Sequence, residues 1–210
     1  MTDAAADTTA PLEFWFEFAS SYSHPAAMRI EAAARDAGVP IAWKPFLLGP
    51  VFATQGWNDS PFNIYPAKGR YMWRDLERVC AKHAIGLRRP SRFPRNGLLA
   101  ARVALLGATA AWGPDFVRGV YRANFVDDRE IAEPEVVAGV LAEVGVDARP
   151  LLDAAHAPAN KDALRRQTEH AMELGIFGAP TFVSRGELFW GNDRLEQALE
   201  WAVRHAKATA

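Results

Sequence analysis

Residues 13–25, EFWFEFASSYSHP, constrain the fold more than any other part of the chain. Phe14, Trp15, Phe16 and Phe18 are aromatic, and only Glu13 and Glu17 interrupt them. A short, near-continuous apolar run predicts a central strand buried on both faces. The character then changes at once. Ala19, Ser20, Ser21 and Ser23 are small or hydroxylated, and residues 26–37 form an alanine-rich run of helical composition. Strand, hydroxyl-rich turn, helix: this order brings the Ser20 and Ser21 side chains to a helix N-terminus, with its free N–H groups and positive dipole end. An anion placed there is stabilised. Serine is also a good N-cap, and the local pattern by itself fits a plain cap better.

The rest of the chain follows from that start. Gly38-Val39-Pro40 breaks the helix, and residues 41–48 (IAWKPFLL) predict a second strand, with Pro45 marking an edge or an end. Strand, helix, strand in so short a span is a βαβ unit, hence parallel. Residues 49–66 read as a long loop rich in Gly, Pro and Asn, of the kind that carries function. Helices are predicted over 67–83, 97–112, 115–125, 133–143, 148–156 and 161–174, with Pro134 and Pro150 in first turns. Residues 179–184 and 187–190 read as an antiparallel hairpin around Arg185-Gly186. Asn192 or Asp193 would cap a last helix to about residue 206. The expectation is an α/β chain: a disordered tail over 1–12, a core from 13–66 and 175–210, and a helical insertion over 67–174.

At 210 residues the chain can bury a sizeable core. Its one cysteine, Cys80, permits no internal disulfide and no Cys-x-x-Cys, and it reads as a buried small residue. A reducing compartment, the cytoplasm, is its natural home. Residues 1–11 lack the basic start and apolar centre of a signal peptide, and no apolar run approaches the ~20 residues of a membrane span. The net charge of −1 argues neither way about a polyanion; neither nucleic acid nor membrane is expected as a partner. The five histidines show no metal spacing, so no metal is expected, and His24 should point away on its helix. Arg88, Arg89, Arg92 and Arg95 form a basic stretch without an acid, which fits a solvated loop better than a contact to a substrate carboxylate.

Two further stretches could carry chemistry. In GIFGAPT (175–181) a proline opens a strand, and the backbone of Ala179 could pair with a peptide-like ligand if that bond were cis. An ordinary loop proline fits as well. In FWGNDR (189–194) the N–H groups after Gly191 could hold a carboxylate and Asp193 an ammonium group, though a plain cap fits the motif alone better.

Taken together and in order, FWFEFASSYSHP, LLGPVFATQGWN, YPAKGRYMWRD, IFGAPTF and FWGNDRL resemble the 2-hydroxychromene-2-carboxylate isomerases, relatives of the kappa-class glutathione transferases and of bacterial disulfide oxidoreductases. The resemblance spans residues 13–206. It implies a thioredoxin-like core, βαβ…ββα, with a large all-helical insertion. The redox relatives carry Cys-x-x-Cys in the first turn; here Ser20-Ser21-Tyr22-Ser23 stands there, so the sulfur must come from a cofactor, glutathione. The family's reactive serine matches Ser20, although the usual following Pro is replaced by Ser21. Its glutathione contacts fall on Asn58, Lys68, Ala179, Trp190, Gly191, Asn192 and Asp193, and Tyr22 would line the substrate pocket. The implied activity is a glutathione-dependent isomerisation of a small aromatic carboxylate by a homodimer. Conjugation of glutathione to electrophiles, or thiol-peptide binding without turnover, are the alternatives.

Overall fold

The computed structural model describes residues 10–206. The proposed tail over 1–12 lies outside the described residues as far as residue 9, and at its other end Leu12 is fully buried in a strand rather than in a tail. Strand β1 (Leu12–Phe16) leads into helix α1 (Ser23–Ala37) and strand β2 (Ile41–Pro45). The first helix therefore starts before Pro25, whose ring is tolerated in a first turn. Strand β2 stops at its proline and lies at the sheet edge.

The following segment is not one open loop. It folds into α2 (Leu48–Thr54) and α3 (Pro61–Ile64), the latter capped by Ser60, whose Oγ accepts the Phe62 N–H at 3.3 Å. The helices α4 (Pro66–Lys82), α5 (Leu98–Leu106), α6 (Gly113–Phe125), α7 (Pro134–Glu143), α8 (Ala148–His156) and α9 (Pro158–Glu173) complete the insertion. Helix α5 is shorter than residues 97–112 suggested. It ends at Gly107, where the Trp112 ring folds back so closely that a Cβ would lie 2.5 Å from it. Prolines at first-turn positions open α3, α4, α6, α7 and α9, where a missing N–H costs nothing.

The chain returns to the sheet with β3 (Thr181–Ser184) and β4 (Glu187–Trp190), then a 3-10 turn (Asn192–Arg194) and α10 (Leu195–Ala206). The sheet order is β2-β1-β3-β4. Strand β1 pairs parallel with β2 (Leu12 opposite Ile41, Phe16 opposite Pro45) and antiparallel with β3 (Trp15 opposite Thr181). This is a thioredoxin-like sheet with a helical insertion between β2 and β3.

The aromatic run of β1 is buried on both faces, as its composition predicts. Phe14 and Phe16 face the larger core; Phe14 stacks on Phe182 at 5.5 Å and meets Trp43 edge-on at 5.3 Å. Trp15 points the other way, into a smaller cluster with Phe46, Val51, Ala171 and Ile176. With β1 clamped from both sides, the end of the strand is a rigid platform for the turn that follows.

The four-arginine stretch is not a free basic loop. Arg95 is buried, with Asp128 at 2.5 Å and the Asn124 carbonyl at 3.1 Å, while Arg88 reaches Asp128 and Arg92 reaches Glu130. The acids come from the α6–α7 connection, too far along the chain to be seen locally. Cys80 is buried, and burial pushes its thiol up to about 11. Among the described residues no group of His, Cys, Asp and Glu could hold a metal, and no helix is long and apolar enough to cross a membrane.

Candidate functional site at the end of the first strand

Ser20 sits in the turn between β1 and α1, half-buried. Its hydroxyl donates to the Ala179 carbonyl oxygen at 2.8 Å and accepts the Ser23 N–H at 3.3 Å. The second bond ties the turn to the first residue of α1, but the N-cap position is held by Tyr22 and no side chain caps the helix. The first joins residues far apart in the chain, and the Ala179–Pro180 bond is cis. Ser20 and Ala179, picked out separately in the sequence, are therefore adjacent.

The neighbouring serine has a different fate. Ser21 is buried, and its hydroxyl donates to Met72 Sδ at 2.9 Å. It fastens the turn to α4 and is not open to a ligand. Tyr22 is fastened to the same helix: its phenol donates to Asp75 at 3.0 Å, and burial first, then Asp75, hold its proton on well above the usual tyrosine range. The Tyr22 ring remains half-buried beside Phe62, 6.2 Å between centroids. Lys68 lies one helical turn before Met72, so it shares the face of α4 that covers the serine turn. Its ammonium group is exposed over the Tyr65 ring at 4.7 Å. Asn58 is exposed in the bend between α2 and α3, and no contact links it to Ser20.

The hairpin end approaches from the other side. The Gly191 N–H donates to the Pro180 carbonyl at 2.9 Å, and the exposed Trp190 ring packs on Gly178, where a Cβ would lie 2.5 Å from Nε1. The Phe177 ring lies tilted against Trp190, 4.8 Å between centroids, and both residues are more than half exposed. Gly191 has φ +114°, a conformation open to glycine. Neither Asn192 nor Asp193 makes the expected cap. Asn192 turns inward, where its Oδ1 accepts from Arg29 Nη1 of α1 at 3.0 Å, and Asp193 stays exposed. Ser20 and Ala179 are thus linked directly, and Gly191 and Trp190 meet the two chain neighbours of Ala179, Pro180 and Gly178; Asp193 is exposed beside them.

Glu17 is the residue the sequence did not single out. It is buried under the turn, where its Oε2 accepts the Ala19 N–H at 2.9 Å and its carbonyl accepts the Tyr121 hydroxyl at 2.9 Å. Burial pushes the carboxyl up to about 8, against the opposing pull of the backbone N–H groups. At neutral pH it is protonated and adds little negative charge beneath Ser20. A lone Glu in an aromatic run was the only available signal. His24 is fully buried: it stacks on Phe125 at 5.3 Å, and its Nε2 lies 2.9 Å from the Gly86 carbonyl, which fixes the proton on that nitrogen. Burial lowers its pKa, so it stays neutral, and among the described residues no histidine is hydrogen-bonded to Ser20.

A half-exposed hydroxyl at a helix N-terminus, beside a backbone carbonyl, can steady a thiolate. The set lacks a base to make Ser20 itself a nucleophile. The donors present fit a thiol peptide: the hydroxyl for sulfur, the Ala179 carbonyl for an amide N–H, and Asp193 for an ammonium group.

The chain matches the model of the DSBA-like thioredoxin domain over residues 11–201. It is 31% identical to the 2-hydroxychromene-2-carboxylate isomerase of Sphingobium xenophagum, over 90% of this chain and 95% of that one. It is 27% identical to glutathione S-transferase kappa 2 of Caenorhabditis elegans, over 93% of each chain. The solved structure of a 2-hydroxychromene-2-carboxylate isomerase superposes with a TM-score of 0.84 at 24% identity, covering 96% of this chain and 100% of that one.

Proposed function

We propose a function from one premise: the chain belongs to the DSBA-like thioredoxin domain family, among the 2-hydroxychromene-2-carboxylate isomerases, and is an isomerase of that kind. In this reading it interconverts 2-hydroxychromene-2-carboxylate, or a similar aromatic breakdown product, with its trans-benzylidenepyruvate isomer, and it does so with glutathione. Bound at this site, glutathione supplies a thiol whose reversible addition to the substrate's electron-poor carbon removes double-bond character and lets the bond rotate. The observation that carries the reading is the 2.8 Å bond between Ser20 Oγ and the Ala179 carbonyl. In the free chain these two groups satisfy each other. A thiol peptide would exchange that one bond for two: Ser20 turns its proton to sulfur, and the Ala179 carbonyl takes a peptide N–H.

Each nearby residue then has a physical task. Ser20 and the N-terminus of α1 favour the ionised thiol, whose ordinary pKa near ~8.5 leaves it mostly protonated at pH 7. Glu17, held neutral by burial, keeps charge repulsion away from that sulfur. Trp190 and Gly191 hold the backbone of the tripeptide, Asp193 faces its ammonium group, and Lys68 and Asn58 reach it from the other rim. For Asn192 the side chain is spent on Arg29, leaving its backbone. Tyr22 contributes its ring, not its hydroxyl, to the substrate wall. A reducing cytoplasm suits this chemistry, and the dimer expected from the resemblance is part of the same proposal.

The experiment is incubation with 2-hydroxychromene-2-carboxylate followed optically, with and without glutathione. Conversion that needs glutathione is the expected result; equal rates without it remove the cofactor. Relatedness to a kappa transferase favours a second reading, conjugation. A stable glutathione adduct accumulating with model electrophiles, and no isomerisation, would select it.

A further inference from the structure

A groove of about 380 Å³ lies away from Ser20, between α5, α9 and the start of α2. Its volume is within the range of small-molecule sites. Leu47, Pro50, Leu98, Leu164 and Met172 supply its apolar lining. The polar groups of the floor are already used: Thr168 Oγ1 accepts the Leu47 N–H at 3.2 Å and donates to the Leu164 carbonyl at 3.0 Å. The surface is therefore apolar and fixed.

Arg102 lines this groove, one turn after Leu98 on the same face of α5. It is half-buried, its Nε is shielded from water, and that nitrogen has no hydrogen-bond partner among the described residues. Other arginines that are mostly shielded meet a carboxylate: Arg29 meets Glu196, Arg95 meets Asp128, Arg118 meets Glu31. The one acid at the groove, Glu169, is taken by Arg165 at 2.8 Å. Besides Arg102 and the paired Arg165, Lys161 adds an exposed third cation to the lining. The Arg102 backbone is held by Asn160, whose Nδ2 donates to its carbonyl at 3.0 Å.

Arg102 thus has a shielded Nε without a hydrogen bond and, unlike those arginines, no carboxylate paired with it among the described residues. We propose that this groove binds a small aromatic carboxylate, the carboxylate on Arg102 and the ring against the apolar lining that Leu98 and Leu164 share. The planar fork of Arg matches a carboxylate in two bonds, and the Met172 thioether favours an aromatic neighbour. A bare phosphate would satisfy the cation and waste the apolar walls. The site does not rest on the glutathione reading, since no residue assigned to the tripeptide lines it.

Calorimetric titration of the whole protein with trans-cinnamate tests this, with cinnamamide and inorganic phosphate as the uncharged and ring-free controls. Cinnamate should bind at least tenfold more tightly than either. Arg102→Gln should cost tenfold or more in cinnamate affinity, and Arg102→Lys less, while glutathione titrations of both variants stay as in wild type. Equal binding of cinnamate and cinnamamide, phosphate as tight as cinnamate, or cinnamate affinity unchanged in Arg102→Gln would overturn the proposal. If Arg102→Gln does not fold, Arg102→Lys with the two control ligands decides the matter in the same way.

Discussion

Replacing Glu17 by Gln tests the most unusual feature beneath the site. A carboxyl whose folded pKa is raised from 4.5 to about 8 binds its proton more tightly in the folded chain than in the unfolded one. Below pH 4.5 both states are protonated and nothing is lost. As pH rises from 4.5 to 8 the unfolded chain ionises freely while the folded chain does not, so stability falls; above 8 the loss is complete. Each pH unit in that window is worth about 1.4 kcal/mol, so between pH 5 and pH 8 the wild type should lose about 3 to 4 kcal/mol through this group. Glu17→Gln keeps an oxygen for the Ala19 N–H and cannot ionise. Urea unfolding of both proteins at pH 5 and pH 8 measures the difference. His24, whose folded pKa is lowered, adds stability that fades as pH falls below 6.5, but it does so equally in both chains and cancels. The expected result is a variant that gains on the wild type by about 3 to 4 kcal/mol across the window. Parallel pH profiles would show that Glu17 is ionised in the folded chain and that the argument for a neutral platform fails.

Ser20→Ala should lower isomerisation roughly 10- to 150-fold, the worth of one hydrogen bond to a charged group at about 1.5–3 kcal/mol. Ser21→Ala should leave activity near wild type and cost less than about 1 kcal/mol of stability, since it loses only a bond to a thioether; equal rate losses in the two variants would reverse the assignment. Gly191→Ala, placed at φ +114°, should destabilise by about 1–3 kcal/mol and weaken glutathione binding, readable by thermal unfolding and calorimetry. The Ser91 N–H, then Arg95, hold the Asp128 carboxyl down to about 2, so its contribution is present above its unfolded pKa near ~3.9 and fades as pH falls toward 2. Asp128→Asn should flatten the fall of unfolding temperature between pH 4 and pH 2.5; an unchanged slope would show that this pair does not guard the fold against acid.

The strand–turn–helix start was legible because its signals are local: an aromatic run, hydroxyls, then alanines. The hairpin was legible from Gly186 and the helical middle from alanine, leucine and first-turn prolines. What escaped the sequence depends on contacts between distant residues. Nothing near Arg95 announces that Asp128 will bury it, and nothing near His24 announces the Gly86 carbonyl. Helices α2 and α3 hid in a stretch of Gly, Pro and Asn because their turns are short and lean on neighbouring structure. The two serines looked equivalent in sequence, and only Met72, brought over by α4, separates them. Glu17 read as an interruption for the same reason: its burial is made by Tyr121 and the start of α5.

In the proposed reading, Ser20 and the N-terminus of α1 hold a sulfur as its anion. The thiol of bound glutathione can be titrated by its ultraviolet thiolate absorbance, in wild type and in Ser20→Ala. In wild type the bound thiol should titrate about 1 to 2 pH units below the ordinary value near ~8.5, returning toward that value in the variant. A bound thiol that titrates at its ordinary pKa in the wild type, or identically in the two proteins, would contradict it.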